Sequence, residues 1–342
     1  MWRGFVGLKR TRPNDRVLSE REAISVFYSV FGMSPRSAIP FGDDVSAVPV
    51  KDDLFAILKT DMFVRKTDAP KGMTFKQMGR KAVVSTVSDF AAKGVEPLTL
   101  LSSLAFPRSF TSSVIEELAA GLNEASREYG AAVIGGDTNE AEDLVIDVIG
   151  FGLARREDIV LRSGAKAGDI AATTGTFGEV TAGLRILQED LPSDGPLHRS
   201  FVNAAYMPRA QLREGLALSR SRTVTSSIDS SDGLAWSLHE LSRSSRVGFT
   251  VTDIPLGRNI DEFAAETRAD PYDLALYGGE EFNLVFTVDE KRWNEAVRAV
   301  ESVGGQVFNI GYATERLDVV VRREGKEVPI RPAGWEHFIT EK

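Results

Sequence analysis

Residues 223–241 read TVTSSIDSSDGLAWSLHEL and combine a short strand, an acidic turn and the start of a helix. The first six residues are rich in the β-branched types that favour strands. The next five are Asp, Ser and Gly residues typical of turns, and Leu234, Leu238 and Leu241 then recur at helical spacing. The stretch therefore predicts a strand–turn–helix unit with acids where the strand ends.

The same alternation recurs on both sides of a charged, turn-rich stretch at residues 154–169. Strands are predicted over 54–58, 98–106, 133–134, 144–152, 170–174, 223–228, 247–252, 283–288 and 306–312, and a Pro/Ser/Gly-rich loop is predicted over 192–200. Helices are predicted to follow Ser19, which begins a capping box with Glu22, and to start near Thr74, near residue 112 and before Leu184. The fold class is α/β or α+β, with a basic arm over 1–18, an N-terminal domain over 19–154 and a C-terminal domain over 155–342.

Composition excludes several classes of function. The net charge of -8 argues against nucleic acid as a partner, since phosphate backbones need a basic surface. The absence of cysteine removes disulfides, thiolate nucleophiles and iron–sulfur clusters. No apolar run approaches the roughly 20 residues of a membrane helix, and the start of the chain lacks the apolar core of a secretory signal. We expect a cytoplasmic protein with no membrane partner.

Acidic side chains recur at predicted strand ends and turns. They are Asp43, Asp44, Asp61, Asp137, Asp229 and Asp232. Carboxylates on loops beside a rigid sheet suit Mg²⁺, which prefers oxygen ligands together with substrate phosphates. Turn formation and helix capping are the commoner explanation for any single pair, whereas the whole set favours a metal site. For Asp89, on the polar face of the helix after Thr74, spacing alone favours a solvated helix face.

Other motifs are less specific. The glycine loop at residues 175–178 can present N–H groups to a phosphate, but a tight structural turn is an equal alternative. The three histidines have no ligand spacing and are expected to be non-catalytic. Trp335 can serve as a packing anchor or as a stacking surface for a ring.

In this order the motifs resemble those of the thiamine-monophosphate kinases, within the aminoimidazole-ribonucleotide-synthetase-like superfamily. The resemblance spans roughly residues 20–340. Its segments are Gly42-Asp43-Asp44, Thr60-Asp61, residues 87–94 (VSDFAAKG), Gly135-Gly136-Asp137-Thr138, residues 161–169 (LRSGAKAGD), residues 229–234 (DSSDGL), Gly278-Gly279-Glu280-Glu281 and residues 334–338 (GWEHF). It implies that an N-terminal sheet pairs in a homodimer and that the C-terminal domain is α/β.

The resemblance also implies ATP-dependent phosphorylation of thiamine monophosphate, with ATP and Mg²⁺ as cofactors. Metal binding is implied for Asp44, Thr60, Asp61, Asp89, Asp137, Asp229 and Asp232. Of these, Asp61, Asp137 and Asp232 are the implied catalytic residues. ATP contacts are implied for Gly136, Asp137, Arg162 and Ser231, and substrate contacts for Asp68, Glu280 and Trp335. The alternatives are another ATP-using enzyme of the superfamily, such as an aminoimidazole ribonucleotide cyclase, or a non-catalytic nucleotide- or metal-binding module.

Three positions depart from the pattern of the family. Lys59 stands before Thr60 where relatives often carry Ser, and an ammonium group cannot be a metal ligand. Asp68 stands where bacterial relatives carry His, and Glu280-Glu281-Phe282 stands where Glu-Asp-Tyr is common. These departures put one metal position and the recognition of the thiamine phosphate in question.

Overall fold

The computed structural model describes residues 18–32, 37–192 and 195–338. The described strands are β1 Ser46–Lys51, β2 Leu54–Val64, β3 Pro97–Phe106, β4 Val133–Glu140, β5 Val145–Arg155, β6 Ile170–Thr173, β7 Val224–Asp229, β8 Gly248–Val251, β9 Leu284–Val288, β10 Phe308–Thr314, β11 Val319–Arg323 and β12 Lys326–Pro329. The described helices are α1 Glu20–Phe31, α2 Arg65–Asp68, α3 Phe75–Lys93, α4 Ser112–Glu128, α5 Glu179–Gln188, α6 Pro196–Tyr206, α7 Leu212–Ser221, α8 Leu234–Ser245, α9 Ile260–Thr267, α10 Pro271–Tyr277 and α11 Trp293–Glu301.

The strands form two mixed sheets. The first has five strands in the order β1-β2-β5-β3-β4, in which β3 and β4 are parallel and the other pairs antiparallel. The second has seven strands in the order β12-β11-β8-β10-β6-β9-β7. The α/β or α+β fold class predicted from the alternating pattern is confirmed.

Helix α3 packs against both sheets and carries much of the core. It contacts β2 and β5 of the first sheet, β7 of the second sheet, and α7. One buried apolar cluster accordingly includes Val87 of α3, Ile146 of the first sheet and Phe286 of the second. A Cβ at Gly215 would lie 2.0 Å from the Ala91 carbonyl oxygen, so the backbones of α3 and α7 touch. Both sheets belong to one compact unit, residues 37–335 of the described chain.

Helix α1 and residues 336–338 belong to a second unit. The predicted capping box is confirmed: the Glu22 N–H donates to the Ser19 hydroxyl, and the Ser19 N–H donates to the Glu22 carboxylate at 3.1 Å. Apart from Leu18, the predicted basic arm lies outside the described residues. None of the helices in the described ranges is both long and apolar enough to cross a membrane.

Two predicted strand ends and one predicted loop are wrong. β2 continues through Asp61 and β4 continues through Asp137, because their ladders with β5 and β3 continue past these polar residues. A loop was expected over 192–200, yet α6 begins at Pro196, where proline fits the first helical turn. The predicted domain boundary at 155 falls between the two sheets and stays a prediction, since α3 joins both sheets in one unit.

Candidate active site

Three buried acids meet where the two sheets approach each other. Asp44 comes from the segment before β1, Asp89 from α3 and Asp229 from the end of β7. Each is at most 5 % exposed, and carboxylate oxygens of the three lie within 4.8 Å of one another. Carboxylates this close repel each other and are expensive to bury, so the cluster requires cations.

Lys59 provides one of these cations. Its Nζ lies 2.9 Å from Asp89 Oδ2 and 3.5 Å from Asp61 Oδ1. Because side chains alternate along a strand, Lys59 and Asp61 project from the same face of β2, the face that packs on α3. Asp61 therefore lies beside the acid cluster and is linked to Asp89 by the Lys59 ammonium group.

Asp44 is held by two further cations. Lys93 Nζ lies 2.7 Å from Asp43 Oδ1 and 2.7 Å from Asp44 Oδ2, and it donates to the Ser227 carbonyl oxygen at 2.8 Å. Arg162 Nε donates to Asp44 Oδ1 at 2.7 Å, and its Nη2 also bonds this oxygen. The structure thus places Arg162, predicted to contact ATP, beside Asp44.

The pKa values of the three acids diverge. Burial alone would raise the pKa of Asp44, but Arg162 and Lys93 outweigh burial and hold it at about 2. Burial raises the pKa of Asp229 to about 6, reinforced by the charge of Asp44 and opposed by the Ser88 hydroxyl, which donates to Asp229 Oδ2 at 2.7 Å. Burial also raises the pKa of Asp89 well above its usual value, although Lys59 opposes the rise. Asp89 and Asp229 have too little positive charge nearby to offset their burial, which is the setting that a bound divalent cation relieves.

A second group of predicted residues lies on three loops that are joined by backbone hydrogen bonds. The Glu280 N–H donates to the Ser231 carbonyl oxygen at 2.6 Å, and the Trp335 N–H donates to the Asp232 carbonyl oxygen at 3.0 Å. A Cβ at Gly279 would lie 3.3 Å from Cβ of Trp335. The predicted substrate residues Glu280 and Trp335 therefore flank the acidic turn that follows β7.

Lys81 connects this group with Asp68. The buried Lys81 Nζ lies 2.5 Å from Glu280 Oε1 and donates to the Asp68 carbonyl oxygen at 2.7 Å. The Asp68 carboxylate accepts from the N–H of Val64, the residue before α2, at 2.7 Å. Glu280 itself has a φ of +67° and a buried Oε2 that accepts no hydrogen bond within the described ranges. A strained backbone together with a buried carboxylate oxygen that accepts no hydrogen bond is typical of a residue that contacts a ligand.

Thr60 and Asp137 lie on the opposite face of the first sheet. Thr60 alternates with Lys59 and Asp61 along β2, and its hydroxyl donates to Asp147 Oδ1 at 2.5 Å. Asp137 pairs with Ser103 in the ladder, and Ser103 pairs with Asp147, so these side chains share a face. Within one chain the predicted metal ligands therefore lie on two faces of the first sheet: the face that packs on α3 and the opposite face, here called the outer face.

Glycine is required at Gly136, the predicted ATP contact in β4. A Cβ at this position would lie 1.9 Å from the Ser102 carbonyl oxygen, so β3 and β4 approach too closely for a side chain. The glycine leaves the backbone of β4 uncovered next to Asp137, which suits a phosphate contact.

The sequence motifs predict no role for Lys81, Lys93 or Asp147, and they include Asp43 only in the acidic set at strand ends and turns. Lys93 is the clearest omission, since it is 0 % exposed. The sequence feature that could have indicated burial is the apolar segment around Lys93, just before Gly94. A lysine at this position ordinarily interacts with the exposed carbonyl groups of the helix end. The interpretation of Asp89 as part of a solvated face is wrong, because α3 is buried from Thr86 to Lys93.

The glycine loop before α5 acts as a structural turn. Both Gly178 N–H and Val180 N–H donate to Glu281 Oε1, at 2.7 and 3.3 Å, so these donors are already used. The three histidines have different partners: His198 bonds Glu266, His239 bonds the Ile330 carbonyl oxygen, and the His337 N–H donates to Glu20. None of these contacts forms a ligand set.

Glu281→Gln should flatten the pH dependence of stability. Burial raises the pKa of Glu281 from 4.5 to about 8, although the two backbone donors oppose the rise. Between pH 5 and 8 the folded chain keeps a proton that the unfolded chain has lost, so wild-type stability falls as pH rises, by up to about 1.4 kcal/mol per pH unit from this group. The thermal unfolding midpoint of Glu281→Gln relative to that of wild type should therefore rise as the pH rises across this range. Parallel curves for wild type, Glu281→Gln and the surface control Glu301→Gln would contradict this expectation.

Comparisons with known proteins give consistent results. The model of the AIR synthase related protein N-terminal domain matches residues 42–154, and that of the C-terminal domain matches residues 166–324. The chain is 35% identical to the thiamine-monophosphate kinase of Nitrosopumilus maritimus, over 94% of this chain and 99% of that protein. It is also 35% identical to the enzyme of the same name from Pyrococcus horikoshii, over 94% of this chain and 96% of that protein. The solved structure of AaThiL complexed with AMPPCP and TMP superposes with a TM-score of 0.81 at 27% identity, over 93% of this chain and 97% of that one.

Proposed function

Because this chain belongs to the thiamine-monophosphate kinase family of AIR synthase related proteins, we infer that it is an ATP-dependent kinase acting on thiamine monophosphate. A phosphate oxygen of thiamine monophosphate attacks the γ-phosphorus of ATP. The bond from that phosphorus to the bridging oxygen breaks, which yields ADP and thiamine diphosphate. The attacking phosphate is already ionised at neutral pH, so the reaction needs no general base.

The structural observation that carries this inference is the buried cluster of Asp44, Asp89 and Asp229, contributed by both halves of the chain. An all-oxygen donor set with raised pKa values at two members fits Mg²⁺. We propose that the ions are held by Asp44, Thr60, Asp61, Asp89, Asp137, Asp229 and Asp232. When bound, Mg²⁺ supplies positive charge that offsets the repulsion between the two phosphate groups.

We propose that the chain's other residues bind and orient the substrates. Gly136, Asp137, Arg162 and Ser231 are proposed to contact ATP. Asp68, Glu280 and Trp335 are proposed to hold thiamine monophosphate, with Trp335 as a stacking surface for an aromatic ring. Trp335 is 44% exposed, which supports a role beyond packing. Asp61, Asp137 and Asp232 are proposed as the residues on which turnover depends most.

A homodimer is proposed through the outer face of the first sheet. Ladder pairing puts the exposed side chains of Leu58, Met62, Leu101 and Leu153 on the same face as Thr60 and Asp137. An exposed apolar sheet face of this kind favours association with a second copy. We also propose a domain boundary at residue 155 and a cytoplasmic location, both from the sequence.

Acceptor-dependent release of ADP tests the proposed reaction. With ATP and Mg²⁺ present, ADP should form on addition of thiamine monophosphate and not on addition of thiamine, because the acceptor is a phosphate oxygen. A coupled ADP assay, with phosphate-free thiamine as the matched control, measures this. Equal ADP release with and without the monophosphate would contradict the assignment and would favour another ATP-using enzyme or a nucleotide-binding module.

A further inference from the structure

We propose that the ammonium group of Lys59 is a resident cation of the acidic cluster, occupying a position that a divalent cation would otherwise fill. The proposal rests on the metal-assisted transfer proposed above and specifies how many ions this site takes. It assigns to Lys59 a role in setting the metal content of the site.

The contacts of Lys59 are those of a bound cation. Its Nζ lies 2.9 Å from Asp89 Oδ2 and 3.5 Å from Asp61 Oδ1, and a carboxylate oxygen of Asp89 lies within 4.8 Å of one of Asp229. These acids come from α3, β2 and β7, so the ammonium group lies where three elements converge. The Lys59 side chain is 21% exposed and that of Asp89 is 7% exposed, which makes this an enclosed charge pair.

The ammonium group excludes a second cation at the same position. It has three N–H donors and no lone pair, so it cannot itself ligate a metal. A divalent ion bound to the same Asp89 oxygen would lie within a few ångströms of the ammonium group, where like charges in a partly buried site repel strongly. Of the other two carboxylates in the cluster, Asp44 already forms ion pairs with Lys93 and Arg162.

The charge balance supports the same conclusion. Asp61, Asp89 and Asp229 carry three negative charges when ionised, and Lys59 cancels one of them. The remaining two negative charges match one divalent cation. Without the ammonium group, a single divalent cation would leave one negative charge of the three acids unbalanced. The space that the ammonium group occupies would then be open to a further cation.

Replacement of Lys59 tests the proposal without use of the kinase reaction. Lys59→Ser removes the ammonium group and leaves an oxygen, and Lys59→Met removes the charge but keeps most of the stem. In EDTA both variants should unfold at least about 5 °C below wild type, because a buried ion pair is broken. Titration with Mn²⁺ alone, followed by electron paramagnetic resonance of the free ion, should show one more bound ion per chain in Lys59→Ser than in wild type. Mn²⁺ should also raise the midpoint of Lys59→Ser more than that of wild type.

Two controls complete the experiment. Lys59→Arg keeps a cation and should bind the wild-type number of Mn²⁺ ions. Lys76→Met removes a surface lysine, paired with Glu124 at 2.8 Å, and should change neither readout. Equal Mn²⁺ counts and equal EDTA midpoints in wild type and Lys59→Ser would overturn the proposal, as would an additional ion in Lys59→Arg. Formation of thiamine diphosphate by the wild-type protein is measured separately. This assay distinguishes a failure of the Lys59 proposal from a failure of the proposed kinase function.

Discussion

Asp61→Ala should lower the turnover number by about a thousand-fold while the chain stays folded, and Asp137→Ala should do the same. Each change removes a carboxylate proposed to hold a metal ion, and loss of one such electrostatic contribution typically costs this much. Asp61 is 31% exposed in its side chain and Asp137 is exposed, so neither supports the core. Turnover at saturating ATP and thiamine monophosphate, together with circular dichroism, measures both parts of the expectation.

Asp53→Ala is the matched control, because Asp53 is an exposed acid whose carboxylate forms a 3.8 Å surface ion pair with Arg155. This variant should retain wild-type turnover. Near-normal activity of both Asp61→Ala and Asp137→Ala at modest Mg²⁺ concentration would contradict the proposed metal assignment.

Lys93→Met should be the most destabilising single substitution considered. The Lys93 side chain is 0 % exposed and bonds Asp43, Asp44 and the Ser227 carbonyl oxygen. Its removal leaves the buried Asp43 and Asp44 carboxylates with Arg162 as the remaining cation within the described ranges, and breaking a buried ion pair in this way costs about 3–5 kcal/mol. The thermal unfolding midpoint should therefore fall by about 10 °C.

Lys76→Met again provides the control, since it removes an exposed ion pair worth less than about 1 kcal/mol. An unchanged midpoint for Lys93→Met would mean that the Asp43–Asp44–Lys93–Arg162 group contributes little to stability. The position of Asp44 would then need another explanation.

The fold was largely predictable because its hydrophobic pattern is periodic. The capping box at Ser19, the start of the helix near Thr74 and most strands follow from spacing and turn residues alone. The ends of β2 and β4 did not follow, since Asp61 and Asp137 look like turn residues in isolation. Their place in the strands is set by hydrogen bonding to β5 and β3, which local sequence does not encode.

The candidate site was predictable in its acids but not in its cations. Asp44, Asp89 and Asp229 lie in recognisable motifs, and the structure brings them together. The partners Lys59 and Lys93 are set by the packing of β2 and α3, over separations of 30 and 50 residues for Lys59–Asp89 and Lys93–Asp43. An isolated lysine carries no signal for such a pairing, because most lysines are solvated.

Formation of thiamine diphosphate with Mg²⁺ titrated from zero tests the central claim most directly. The proposed function predicts product that requires ATP, thiamine monophosphate and Mg²⁺ together, equals the ADP formed, and disappears in EDTA. Chromatographic detection of thiamine diphosphate in EDTA at the undiminished rate, or of ADP with no thiamine diphosphate under any Mg²⁺ concentration, would contradict it.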